Sequence, residues 1–243
     1  MNQNSSLAII LAAGRGSRMA QDIPKPLVKV YDKPILSWIM DGFKDHNIDL
    51  AVIINPKDKN YFKSYNSDAI FIYQENPKGT GHAVMQASHI LKQYEYIYVF
   101  VGDSPFVDKN ILLEMYTYHV EHNRDVTILS SIFRDKSFPY ARIVRDDNGD
   151  INKIVEEIEA TKDERDIKEL FCSHYLFKSN VLSDYILKLK ENPKTREIYF
   201  TDILNKLITD DKIVDSLIID NWKKLVGLNT IGDIEWAESQ KMI

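Results

Sequence analysis

Residues 7–26 read LAIILAAGRGSRMAQDIPKP, and the fold follows from how this stretch changes character at residue 14. Leu7 to Ala13 are apolar without alternation, the pattern of a strand buried on both faces of a parallel sheet. The run then breaks into Gly14, Arg15, Gly16, Ser17 and Arg18. Two glycines let the main chain turn sharply and bring its N–H groups close to an anion. Arg15, Arg18 and Lys25 add positive charge to the same short loop. The stretch predicts a polyphosphate cradle at the carboxyl end of the first strand, where open α/β sheets bind their ligands.

A signal peptide, a P-loop and a dinucleotide fingerprint each fail on specific residues. A signal peptide needs a basic leader and a longer apolar core, whereas MNQNSS carries no positive side chain. A P-loop needs Gly-x4-Gly-Lys-Ser/Thr, and that spacing is absent. A dinucleotide fingerprint needs a third glycine where Met19 stands and a helix starting at once, which Pro24 and Pro26 oppose. A lone GxG says little, but here it follows a buried strand and precedes Pro-Lys-Pro.

Composition narrows the class. The chain has 243 residues, 44% hydrophobic and 28% charged, with a net charge of −5. That is enough for one sizeable α/β domain, or at most two small ones. No basic stripe of the kind a nucleic-acid surface shows is visible. The single Cys172 excludes an intrachain disulfide and a cysteine-rich zinc site. No apolar run approaches the roughly 20 residues needed to span a bilayer. These features predict a cytoplasmic protein, a monomer or small homo-oligomer, with neither nucleic acid nor membrane as partner.

Along the chain, strand and helix alternate. Pro34 opens a helix with Ile35, Trp38, Ile39 and Phe43 at helical spacing. Leu50 to Ile54 reads as a second buried strand, Lys57 to Tyr65 as a short polar helix and Ala69 to Gln74 as a third strand. Gly79-Thr80-Gly81 stands at the start of the next helix, where it can hold a base edge or phosphate, or serve as a cap. Tyr96 to Val101 is the fourth strand, and Asp103 just beyond it is either a metal or ribose ligand or a turn cap. Asp108 caps a helix through His122, and Asp125 to Phe133 is a further strand. The pattern then turns to hairpins: Arg142 to Arg145 and Ile151 to Glu156 flank an Asn-Gly turn. Glu157 to Lys168 reads as an exposed loop and Leu170 to Phe177 as a strand. Ser179 and Thr230 read as helix caps, Thr201-Asp202 as a helix start and Ile213 to Ile219 as the last strand. The prediction is an α/β, Rossmann-like, three-layer, mostly parallel sheet with a smaller β-hairpin lobe, as a single domain over 1–243.

None of the six histidines sits in a motif with a Ser or Cys nucleophile, and paired metal-binding His or Cys motifs are missing. Phosphoryl or nucleotidyl transfer suits this inventory, because it depends on positioning and charge neutralisation. A nucleophile that is already a phosphate anion needs no general base.

LAAGRGSRM at 11–19, PKP at 24–26, YQENPKGTGHAV at 73–84, GD at 102–103, PYARI at 139–143, IVEE at 154–157, EIYFTD at 197–202 and VGLN at 226–229 occur in this order. In that series the chain resembles the sugar-1-phosphate nucleotidyltransferases, most closely the uridyltransferase half of the bifunctional N-acetylglucosamine-1-phosphate uridyltransferases. The resemblance implies the nucleotide-diphospho-sugar transferase fold and Mg²⁺-dependent transfer from UTP to a sugar 1-phosphate such as N-acetylglucosamine 1-phosphate, releasing pyrophosphate. It implies that Leu11, Ala12, Ala13, Gly14 and Gly16, with Arg18, wrap the triphosphate. Lys25 would neutralise charge at the reacting phosphates. Gln74, Gly79 and Thr80 would read the base, Asp103 and Asn229 would hold Mg²⁺, and Tyr140, Ala141, Glu156 and Thr201 would face the sugar.

Two departures bear on the acceptor. Ala141 replaces the family's glycine, and Phe171-Cys172-Ser173 replaces its Asn-x-Gly. Phe171 therefore stands where an asparagine would contact sugar or ribose, and an aromatic ring cannot supply an amide's donor and acceptor. The family's β-helical acetyltransferase half has no counterpart here, so monofunctional action is expected. The competing functions are a cytidylyltransferase for another phosphorylated metabolite, a glycosyltransferase and a nucleotide sensor. Glycosyltransferases commonly carry Asp-x-Asp, whereas Gly102-Asp103-Ser104-Pro105 offers one carboxylate.

Overall fold

The structure, a computed structural model, describes residues 5–14, 22–44, 46–65, 68–133 and 138–242. The first strand, β1 (Ser6–Leu11), lies at the middle of a nine-stranded sheet. In chain order it is followed by β2 (Lys29–Val30), β3 (Lys33–Pro34), β4 (Ile48–Ile54), β5 (Ile70–Tyr73), β6 (Tyr96–Val101) and β7 (Val126–Ile132). The remaining strands are β8 (Ala141–Arg145), β9 (Ile151–Val155), β10 (Glu169–Lys178) and β11 (Val214–Ile218). The main path runs β11-β7-β10-β6-β1-β4-β5. Strand β10 is antiparallel to both β6 and β7, whereas β1–β4, β1–β6, β4–β5 and β7–β11 are parallel. All path strands except β10 therefore point the same way, and their carboxyl ends share one edge. The β8–β9 hairpin joins through β8 to β10 and forms the smaller lobe; β2 and β3 form a separate two-stranded ribbon.

Strand β1 shows why the apolar run is continuous. Ala8 and Ile10 face one core and Leu7 and Ile9 the other, all fully buried. Each fully buried Leu or Ile side chain contributes about 1.5–3 kcal/mol, so neither face tolerates a polar residue. The first core is covered by α1 (Ile35–Phe43), α3 (Lys109–Glu121) and α7 (Ile231–Ser239). The second is covered by α2 (Thr80–Gln86), α5 (Ser179–Tyr185) and α6 (Asp202–Thr209). The result is the three-layer, mostly parallel architecture that the alternation predicts. Among the described residues no helix is long and apolar enough to cross a membrane.

Three local expectations change. The 157–168 segment holds a turn of helix, α4 (Lys162–Arg165), started by a capping box between Thr161 and Glu164, and Ala160 within it is buried. Ser179 does not cap α5; its buried hydroxyl donates to the Leu91 carbonyl at 2.6 Å. Thr80 does not cap α2, because Gly79 occupies the cap position with no side-chain bond. Thr230 does cap α7, reciprocated by Asp233, and Asp108 caps α3 through the Asn110 and Ile111 N–H groups.

Candidate active site

Parallel strands end together, so the backbones beyond them crowd one another. Gly102 follows β6 and donates its N–H to Leu11 O at 2.9 Å. A Cβ on it would lie 2.5 Å from that oxygen, so this position admits only glycine and Asp103 is delivered close to the end of β1. Ala12 is held from the other side by Ile53 O at 2.8 Å. Leu11, Ala13 and Gly14 line one wall of the resulting cleft, which has a volume of about 170 Å³. Lys25, Gln74, Thr80 and Asp103 line it as well.

Asp103 and Asn229 are 126 positions apart in the chain, yet both meet Lys25. Its Nζ donates to Asp103 Oδ2 at 2.5 Å and to Asn229 Oδ1 at 2.9 Å. Lys25 opens the short 3₁₀ turn Lys25–Leu27, so the prolines on either side fix its stem. Leu228 N–H donates to Asp103 O at 2.8 Å, and Asn229 N–H donates to Asp233 Oδ2 at 2.9 Å. A Cβ on Gly227 would stand 3.0 Å from Asp103 Oδ1, so the 226–229 segment closes directly over the carboxylate. A carboxylate and an amide oxygen converging on one cation are the hard donors a Mg²⁺ site uses, with water and phosphate supplying the rest. Among the described residues no group of three or more His, Cys, Asp or Glu could hold a metal. These two oxygens, completed by a bound phosphate, are the donor set that fits.

Another group of contacts is organised by buried Gln74. Its Nε2 donates to Gly79 O at 3.2 Å and to His82 Nδ1 at 2.9 Å. Burial, reinforced by Lys78, lowers the His82 pKa, which favours the neutral ring whose nitrogen can accept. Gly79 has φ +98° and an added Cβ would meet Ile198 O at 2.6 Å. Gly81 N–H donates to that same oxygen, and Ile198 N–H donates to Lys78 O. Thr80 Oγ1 accepts from Phe200 N–H at 3.0 Å, so the hydroxyl ties this loop to a distant segment.

A second cavity, of about 480 Å³, adjoins the cleft, and Thr80 lines both. Glu156, Ser173, Asn192, Tyr199, Thr201 and Asp202 are among its walls. Burial pushes the Glu156 carboxyl up against the opposing hydrogen bond from Thr201, with Glu159 adding to the rise. Asp202 is raised by burial and then by Glu159 and Glu156. The cavity thus offers hydroxyls and an amide on some walls and poorly solvated carboxylates on another. Glu156 and Thr201, which the resemblance places on the sugar side, both lie on these walls.

Phe171 and Ala141 are corrections. They are register partners between β10 and β8 and lie in the second core, with Phe171 only 2% exposed and edge-on to Tyr175 at 4.9 Å. Neither lines the cavity. Tyr140 also lies elsewhere: its ring stacks on Phe138 and its Oη accepts the Gly227 N–H at 3.0 Å. Burial, with Cys172 next in weight, pushes its phenol far up. It braces the segment over Asp103. Ser173, Asn192, Tyr199 and Asp202 are wall residues to which the sequence reading gave no site role, although Tyr199 and Asp202 stand within EIYFTD. Ser173, which stands at a glycine of the pattern, adopts φ +62°. The predicted Gly16 and Arg18, with Arg15 and Ser17, lie outside the described residues.

Comparison with known proteins places this geometry among relatives. A family described as nucleotidyl transferase matches residues 7–231. The bifunctional protein GlmU of Acetivibrio thermocellus is 30% identical over 239 residues, covering 98% of this chain and 51% of that protein. The bifunctional protein GlmU of Clostridium tetani is 35% identical over 226 residues, covering 92% and 49%. The chain spans about half the length of these curated relatives. Among solved structures, a Bacillus anthracis protein described as a glucose-1-phosphate thymidylyltransferase, in complex with sucrose, superposes with a TM-score of 0.79 at 20% identity, covering 98% of this chain and 95% of that one. A UDP-glucose pyrophosphorylase complexed with UDP-glucose gives 0.74 at 17% identity, covering 97% and 98%. At those identities the likeness concerns the fold.

Proposed function

The chain belongs to the nucleotidyl transferase family, and from that premise we propose that it transfers the uridylyl group of UTP to a sugar 1-phosphate, N-acetylglucosamine 1-phosphate being the favoured acceptor. One observation carries the proposal: Lys25 Nζ lies between Asp103 and Asn229 at the strand ends, within a cleft that shares Thr80 with a second, larger cavity. A nucleotide in the cleft and an acceptor in the cavity would meet at that point.

In the proposed reaction an acceptor phosphate oxygen attacks the α-phosphorus of UTP. A new P–O bond forms, the bond from the α-phosphorus to its bridging oxygen breaks, and pyrophosphate leaves with that electron pair. The nucleophile is already anionic, so no side chain has to remove a proton. What the protein supplies is alignment of two anions that repel each other. Lys25 brings a compact positive charge on a flexible stem to the reacting phosphates. Gln74, held by Gly79 and His82, presents its amide to the base. The main chain at 12–14 approaches the triphosphate closely because Ala12, Ala13 and Gly14 are small. Thr201 and Glu156 hold acceptor hydroxyls. Asp103 and Asn229 would hold Mg²⁺, which when bound offsets the charge between the two phosphate groups.

The test is a matrix of UTP, CTP and dTTP against a panel of sugar 1-phosphates with Mg²⁺, read as released pyrophosphate. Highest kcat/KM with UTP and N-acetylglucosamine 1-phosphate supports the reading. Preference for CTP would reassign the base, preference for another acceptor would reassign the cavity, and UDP-sugar consumption without pyrophosphate chemistry would favour glycosyl transfer. Nucleotide binding with no turnover in any cell would leave a sensor.

A further inference from the structure

Lys25 touches the two oxygen atoms assigned to the divalent cation, and the surrounding hydrogen bonds distinguish the fixed partners from the movable one. Asp103 is tied through its main-chain oxygen to Leu228 N–H, receives Ser104 Oγ on Oδ1 at 3.3 Å and is covered by Gly227. Asn229 is tied through its own N–H to Asp233, and its Nδ2 donates to Gly227 O at 3.4 Å, which leaves Oδ1 directed at Lys25. Both side chains are thus positioned by contacts other than Lys25: Asp103 by its main-chain oxygen and Ser104, Asn229 by Asp233 and Gly227 O. Lys25 is anchored only at its stem, by the 3₁₀ turn, and its four-carbon side chain can swing. The ammonium and the carboxylate are both largely shielded, at 13% and 23% side-chain exposure, so the pair is not a screened surface contact.

We propose that Lys25 is an internal counter-ion for the cation site: ammonium and divalent cation exclude each other from Asp103 and Asn229, so the cation enters when nucleotide phosphates draw Lys25 away. This rests on the metal assignment under the proposed function. Two positive charges cannot share one carboxylate oxygen at hydrogen-bonding range without strong repulsion. A phosphate arriving in the cleft gives the ammonium an alternative partner of higher charge. By linkage, whatever favours Lys25 at the oxygens lowers cation affinity by the same factor. The chain would thereby avoid loading metal without nucleotide, and Lys25 would reach the phosphates as the metal takes its place.

The experiment titrates Mn²⁺ into nucleotide-free protein and follows the free-ion EPR signal, with thermal melting as a check on folding. K25M should bind Mn²⁺ about tenfold more tightly than wild type, in line with couplings of roughly 5–150-fold between linked ligands. K25Q gives the same reading should the methionine variant fold poorly, and K25R, which keeps the charge, should stay near wild type. Adding D103N to K25M should abolish the gain. Equal affinity in wild type and K25M, with D103N weakening both, would overturn the counter-ion role and leave the metal assignment intact. Binding insensitive to D103N, or absent from both proteins, would overturn the two together.

Discussion

The strand-end cleft and the neighbouring cavity meet at Thr80 but are built by different means. The cleft is made where parallel strands stop: Leu11 to Gly14 at the end of β1, Gln74 after β5 and Asp103 after β6, set by sheet register and, at Gly102, by a main-chain contact that leaves no room for a larger residue. The cavity is assembled from segments around 139, 156–159, 173 and 192–202, brought together by a hairpin, an irregular strand and a helix start. Two of its wall carboxyls, Glu156 and Asp202, have pKa values that burial has raised. Chemistry shared by all acceptors can rest on the rigid register of the sheet. Under the proposed function, acceptor identity would depend on loops that can change without disturbing it.

Substitutions can test that division. The largest effect is expected at Asp103: D103A should reduce turnover by about 10²–10³-fold or more, as for loss of a preorganised charged group. Pyrophosphate release measures it, and a near-wild-type rate would move the chemistry out of the cleft.

Next is Phe171, a core residue on the cavity side. F171N should destabilise the fold by about 3–5 kcal/mol, the usual cost of deleting a buried aromatic, while leaving the ratio of kcat/KM between acceptors unchanged. Denaturant unfolding and an acceptor panel check the two halves. A changed ratio would return Phe171 to the cavity wall.

Gly79 joins the two regions. G79A forces a Cβ onto Ile198 O at a positive φ and should cost about 1–3 kcal/mol of local strain, measured by thermal unfolding. Because Ile198 precedes the 199–202 wall, KM for nucleotide and for acceptor should rise together. A rise in one alone would show the two sites to be uncoupled.

The smallest effects are expected on the cavity walls. Burial keeps the Glu156 carboxyl above its ordinary value, so the folded protein retains a proton that the unfolded chain has released. Stability contributed by this group therefore falls as pH rises from the ordinary carboxylate range through the raised folded value. E156Q should flatten Tm against pH in that window and raise Tm at neutral pH relative to wild type. A parallel profile would contradict the burial argument. S173G should relieve about 1 kcal/mol of left-handed strain and shift acceptor preference a few-fold, read on the same panel.

Much of the architecture is legible in the sequence because burial imposes strict periodicity. The pattern gives Tyr96–Val101 to the residue, and β1, β4 and β7 within one or two. Hydroxyl roles are less legible. A serine or threonine before a helix looks the same whether it caps or bonds elsewhere, and Ser179 and Thr80 are engaged by Leu91 and Phe200. The wall at Ser173 is hidden by register. The four-residue step from Phe171 to Tyr175 on β10 spans only the two-residue step from Ser130 to Ile128 on β7. That irregularity, with a serine rather than a glycine at positive φ, leaves no compositional mark.

By itself the sequence determined the buried strands and the order of the motifs, since a chain buried on both faces admits few residue types. Only the tertiary structure decided that Asn229 reaches Asp103 through Lys25, that Tyr140 braces Gly227, and that Ser173 rather than Phe171 meets the cavity. Those outcomes depend on contacts between residues far apart in the chain, and distance in sequence carries no record of which backbone closes over which side chain.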